Sequence, residues 1–264
     1  KKDKVKPEQE FENIDESNSL NLNESSAFRS SAIFNLQKSS YLNLINNLVE
    51  INNMKGIIFF SDFEQGEIFP KIIEILLKEK VPKIIINPSG NEKSSNNMKC
   101  FYFINSKYPD FNVRNYSLTN EEDIKDLIRV LLKKSLFTQE YINVMRDESN
   151  IILNQHKINI NNFNIDWKDG NNFIALLNFL SNGLISFPAN RKIDIILLKE
   201  LFVKANCMCI LEEDSIFDNI DEVIIIYQVK LILDEIRKRK IVLPKEVKIK
   251  SNVPSQNDSC PILR

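Results

Sequence analysis

Apolar residues recur steadily from Tyr41 to about Ile236, and most of that recurrence has helical period. Phe173, Leu176, Leu177 and Leu180 fall at i, i+3, i+4 and i+7, one face of an α-helix. Asp169 stands where its N-cap would be, with a carboxylate able to accept first-turn N–H groups. A longer helix is predicted within Ser117–Leu136, with an apolar stripe of Ile124, Leu127, Ile128, Leu131 and Leu132. Thr119 with Glu122 predicts a capping box at its start, and Lys133 and Lys134 complement the dipole at its end. A long apolar helix ending in basic charge is predicted over 221–238, with further helices over 192–205 and 94–105. Three β-branched runs, at 56–60, 83–87 and 223–227, also fit buried strands and would support an α/β fold. The third continues past strand length and ends in charge, so helix is the reading there.

The pattern repeats. Asp62 faces Asp166, Phe63 faces Trp167, Gly66 faces Gly170 and Phe69 faces Phe173, all at an offset of 104. At the same offset Ile72, Ile73 and Leu76 face Leu176, Leu177 and Leu180. Glycine occurs only five times in the chain, so a gapless match that includes one is informative. The expectation is two copies of one domain of about a hundred residues, a common domain size. The first copy is placed at 36–136, a connecting segment or helix at 137–150, and the second copy at 151–238. Residues 1–35, rich in Ser, Asn, Glu and Lys, read as a disordered leader, and 239–264 as a tail.

Composition narrows the function. A net charge of -1 and a pI near 6.1 argue against bulk binding to nucleic acid. Apolar runs such as Val223–Tyr227 are far short of a membrane span, so no membrane insertion is expected. Cys207 and Cys209 lack the further Cys or His partners of a zinc site, and the cysteines read as free thiols of a reduced compartment. Asp166 and Asp169 would make an acid pair, but no base, nucleophile or metal set accompanies them. His156 is the only histidine and reads as structural. There is no phosphate-cradling glycine loop and no nucleophile elbow. The expectation is a protein that is not an enzyme, with no cofactor and no metal.

Trp167, Lys168, Asp169, Gly170, Phe173, Ala175, Leu176 and Leu177 match the hallmark of the calponin homology domain, and the second copy resembles that family. The preceding "NNFNID" and the later "LEEDSI" and "NIDEVIIIYQV" fit it as well. In the first copy Tyr41 stands where such domains usually carry tryptophan, and Gln65–Gly66 replaces Asp–Gly. "NNMKCFYFINSKYPDFNV" and "NEEDIKDLIRVLLKKSL" resemble the family's later helices, so the likeness spans about 38–238. As a pair the copies resemble the tandem actin-binding region of α-actinin, filamin and spectrin.

The resemblance implies an all-α fold of two calponin homology domains, each a compact bundle of about four main helices. Its structural residues would be Phe63, Gly66, Phe69, Trp167, Asp169, Gly170, Phe173 and Leu177. It implies F-actin binding in the cytoplasm, as part of the cytoskeleton, through segments near 38–50, 120–135 and 138–155. On this chain the contact residues would be Lys38, Tyr41, Lys125, Arg129, Lys133 and Lys134. Lys125, Arg129 and Lys133 lie four apart, off the apolar stripe and free to face solvent. They form either a solvated face pairing locally with Glu122 or Asp123, or a basic patch for acidic actin. Phosphoinositide binding in the family depends on basic residues after the Phe/Leu helix. Here none follows before Arg191, so that partner is not expected. The alternative to an actin binder is a tandem adaptor or a microtubule-associated module.

Overall fold

The structure, a computed structural model, describes residues 39–52, 58–112, 116–186, 193–212, 216–217 and 221–244. The leader 1–35, Lys38 and most of the tail lie outside the described residues. The described residues form eight α-helices and three 3₁₀ turns, with no strand, so the fold is all-α. The helices are α1 (Ser40–Ile51), α2 (Ile68–Leu77), α3 (Asn91–Lys107) and α4 (Glu121–Ser135). They continue with α5 (Gln139–Leu153), α6 (Asn171–Leu180), α7 (Ile195–Lys204) and α8 (Glu222–Lys238). A 3₁₀ turn at Phe60–Gln65 precedes α2, and one at Ile165–Trp167 precedes α6.

The β-branched runs resolve in physical terms. Residues 223–227 open α8, whose buried positions run from Val223 through Val229 and on to Ile236. That helix packs on α1, α4, α5 and α6, which is why it is apolar nearly all round. Residues 83–87 form a loop in which Lys83 and Asn87 adopt positive φ and Ile86 is exposed. Ile58 and Phe59 lead directly into a 3₁₀ turn.

The twinned sequence has twinned geometry. Gly66 has φ +71 and Gly170 has φ +74, a left-handed conformation that L side chains rarely adopt. Phe63 and Trp167 are buried ahead of these turns, and Phe69 and Phe173 are buried after them. Phe63 lies 6.2 Å from Phe69, and Trp167 lies 4.6 Å from Phe173, centroid to centroid. Leu177 and its counterpart Ile73 are both buried. Asp62 accepts the Phe59 N–H at 2.8 Å, and Asp166 accepts that of Asn161 at 2.7 Å, so each aspartate closes the turn before it.

Two caps fall one residue from their expected places. Gly170, not Asp169, is the N-cap of α6. The left-handed turn carries the chain past Asp169, whose carboxylate still reaches the Asn171 N–H at 2.9 Å. At α4 the cap is Asn120, which accepts from Glu122 N and Asp123 N at 2.9 and 3.2 Å. Thr119 is instead bonded to Ser117, and Glu122 pairs with Lys125, so no capping box forms. Asn120→Ala is therefore expected to cost about 1 kcal/mol, and Thr119→Ala only a few tenths, in urea denaturation. Equal losses would return the cap to Thr119.

Candidate functional site

Helix α1 is buried on nearly every side, which is unusual for a sequence with so many asparagines. It lies against both α2 and α8, so it needs polar groups where it meets backbone. Asn46 satisfies the chain beside it, accepting the Ile58 N–H at 2.7 Å and donating to the Ile58 carbonyl at 3.0 Å. Ser40, Asn43 and Asn47 face the other way. Ser40 Oγ accepts the Glu212 N–H at 2.8 Å. Asn43 Nδ2 donates to the Ile210 carbonyl and to Glu212 Oε1 at 3.3 and 3.2 Å. Tyr227 donates its hydroxyl to Asn47 Oδ1 at 2.8 Å. Gln228 on α8 completes the seat, accepting from Ile210 N and donating to the Met208 carbonyl. The segment 207–212 is thus clamped between α1 and α8.

The charged centre of this junction is Asp221, the N-cap of α8. Its Oδ1 accepts from Val223 N and Ile224 N at 3.0 and 3.4 Å. Its Oδ2 accepts the Tyr41 hydroxyl at 2.8 Å and the Arg129 guanidinium at 2.9 Å. Arg129 Nε also donates to the Tyr41 oxygen at 3.0 Å, and its guanidinium lies over that ring. Burial pushes the Tyr41 phenol above its ordinary range, and Asp221 pushes it further, so it stays a donor. Burial opposes the charge on Arg129, but Tyr41 and Asp221 outweigh that and raise its pKa. One turn further along α4, Lys133 reaches Glu222 on α8 at 2.8 Å.

The basic stripe is held by carboxylates: Lys125 pairs locally with Glu122, as the solvated-face expectation has it, and Lys133 stays exposed. Arg129 and Lys133 bridge to α8, and Arg129 also pairs with Asp126. Lys125 is half-buried between Glu121 and Glu122, at 2.7 and 3.0 Å, and lies over the Phe60 ring. Lys134 lies over the ring of Tyr108. Tyr41 is only 3% exposed and so offers no outer surface. The sequence did carry a signal for the junction: Ser40, Asn43 and Asn47 form a polar stripe at i, i+3 and i+7 on an apolar helix. Their partners lie more than 160 positions along the chain, and periodicity does not register them.

Elsewhere the chemistry is sparse. Among the described residues no group of three or more His, Cys, Asp or Glu is placed to hold a metal ion. No described helix is long and apolar enough to cross a membrane. Cys100, Cys207 and Cys209 are free thiols, and burial pushes Cys100 up to about 12, which leaves it unreactive. His156 is half-buried. No protein-family model matches the chain, and a search of curated proteins finds no match.

Proposed function

We propose that the chain is a cytoskeletal filament-binding module of two tandem calponin homology domains, with F-actin as the filament. The observation that carries the reading is the twinned turn. The same left-handed glycine sits between the same pair of buried aromatics in each half. It is supported by element order, since each half runs through a long helix, a 3₁₀ turn ahead of a ten-residue helix, and two further helices, with one more 3₁₀ turn at Asn154–His156 in the second half. The segments that the resemblance assigns to filament contact correspond to α1, α4 and α5. In the packed arrangement α1 and α4 lie against α8, with Tyr41, Arg129 and Lys133 held there. Filament binding through them requires α8 to part from α1 and α4, a shift between two populations.

Co-sedimentation tests this. Asp221→Ala with Glu222→Ala should raise the fraction pelleted with F-actin several-fold over the unsubstituted chain. Charge reversal of Lys125, Arg129 and Lys133 in that background should abolish the gain. If the doubly substituted chain stays in the supernatant with filament on the order of tens of micromolar, the actin reading fails. A second reading, a tandem adaptor or microtubule-associated module, is favoured by the burial of Tyr41 and the engagement of the asparagine stripe. Pelleting with microtubules but not with F-actin would select it.

A further inference from the structure

Met208 stands between two cysteines, and its side chain leaves them on the other side of the chain. Met208 Sδ accepts from Asn47 Nδ2 on α1 at 2.9 Å, whereas Cys207 and Cys209 both line the cleft beside α7. The stretch 207–212 belongs to no helix, and alternate side chains along it fall on one side. Two thiols therefore border the same cleft, and the charge of one bears on the other. Neither residue is sealed off, since Cys207 is 8% exposed and Cys209 is half-buried. The far side of the stretch is fixed by Gln228, which donates to the Met208 carbonyl at 2.8 Å and accepts from Ile210 N at 2.7 Å. The pair of thiols is thus held in place before any ligand arrives.

The donor set selects the ligand class. Hard cations take six or more oxygens, and structural zinc takes four nitrogen or sulfur ligands. Among the described residues no group of three or more His, Cys, Asp or Glu is placed for either. Two soft thiolates are enough for a soft d10 ion such as Cu(I). The charges nearby favour it as well. Lys199 and Lys204 line the cleft, Lys199 acts on Cys209, and Arg239 and Lys238 act on Cys207.

We infer that Cys207 and Cys209 form a two-coordinate site for Cu(I), entered through this cleft. Uptake breaks two S–H bonds, forms two Cu–S bonds and releases two protons to solvent, and no electron is transferred. The bis-thiolate complex carries one net negative charge, which the flanking lysines and Arg239 offset. Burial pushes the Cys209 thiol up to about 12 and raises Cys207 as well, so both are poor nucleophiles toward ordinary electrophiles. A soft cation displaces their protons on binding. The inference goes beyond the filament reading and does not rest on it.

The probe is Cu(I) supplied without oxygen as its bicinchoninate complex. The test uses the whole chain carrying Cys100→Ser and Cys260→Ser, which leaves only this pair of cysteines. One Cu(I) per chain should pass from the chelator to the protein, and X-ray absorption should show two sulfur neighbours. Cys207→Ser or Cys209→Ser should each weaken binding by at least about 100-fold, the upper end of what loss of an outer-shell partner costs. Far-ultraviolet dichroism of these variants should be unchanged. The inference is overturned if no copper leaves the chelator, or if transfer survives either substitution. Copper shared between two chains, seen as a dimer on gel filtration, overturns it as well. Should Cys207→Ser fail to fold, Cys209→Ser at the half-buried position and the sulfur count still decide.

Discussion

Gly66→Ala is expected to destabilise the protein by about 3–4 kcal/mol, and Gly170→Ala by only about 1–2 kcal/mol. Both positions carry the same left-handed φ, so the conformational cost is shared. The surroundings differ. A Cβ on Gly66 would stand 2.5 Å from the carbonyl oxygen of Lys93 and 2.6 Å from its Cα. Those are backbone atoms in α3, and Asn96 on the same helix donates to the Gly66 carbonyl at 3.0 Å. Neither side can retreat without unseating the helix. A Cβ on Gly170 meets the Ile193 Cγ2 at 3.3 Å, the end of a side chain that can turn away. Urea denaturation followed by circular dichroism gives both values. Equal losses would mean that α3 yields freely, and the close approach of turn and helix would lose its structural meaning.

Trp167→Ala is the second large effect, with an expected loss of about 3–5 kcal/mol. The indole is fully buried, lies between Phe163 at 5.8 Å and Phe173 at 4.6 Å, and donates Nε1–H to the Asn162 carbonyl at 3.1 Å. Truncation opens a cavity and removes that hydrogen bond. Trp167→Phe should lose roughly half as much, because the ring contacts remain and only the hydrogen bond and some volume go. As Trp167 is the only tryptophan, unfolding of the substituted chains must be read by dichroism. A loss below about 1 kcal/mol for the alanine variant would contradict its place in the core.

Helices with a clean apolar stripe were legible in the sequence. Ile124, Leu127, Ile128, Leu131 and Leu132 are the buried face of α4, as their spacing requires. The 104-residue repeat was legible because a positive-φ turn leaves a glycine in the sequence. Cap positions were less so. Thr119 and Asn120 are both good cap residues, and the choice between them depends on how the chain arrives. What the basic stripe meets was legible only locally, in the pairing of Lys125 with Glu122. Helical period tells which way Arg129 points, not that Asp221, 92 positions later, stands opposite. Nor does composition distinguish the exposed asparagines of a loop from Asn43 and Asn47, which are buried against another part of the chain.

Asp221 has one further consequence, for cooperativity. One of its oxygens holds the first turn of α8, and the other holds Tyr41 and Arg129 on α1 and α4. Fraying that turn therefore loosens the grip on α1 and α4, and pulling those helices away leaves a cap whose charge has lost its partners. Two events that separate carboxylates would make independent share one free-energy term. Melting of the α8 start and parting of the halves should then occur in a single transition, with local opening of either reported at the other.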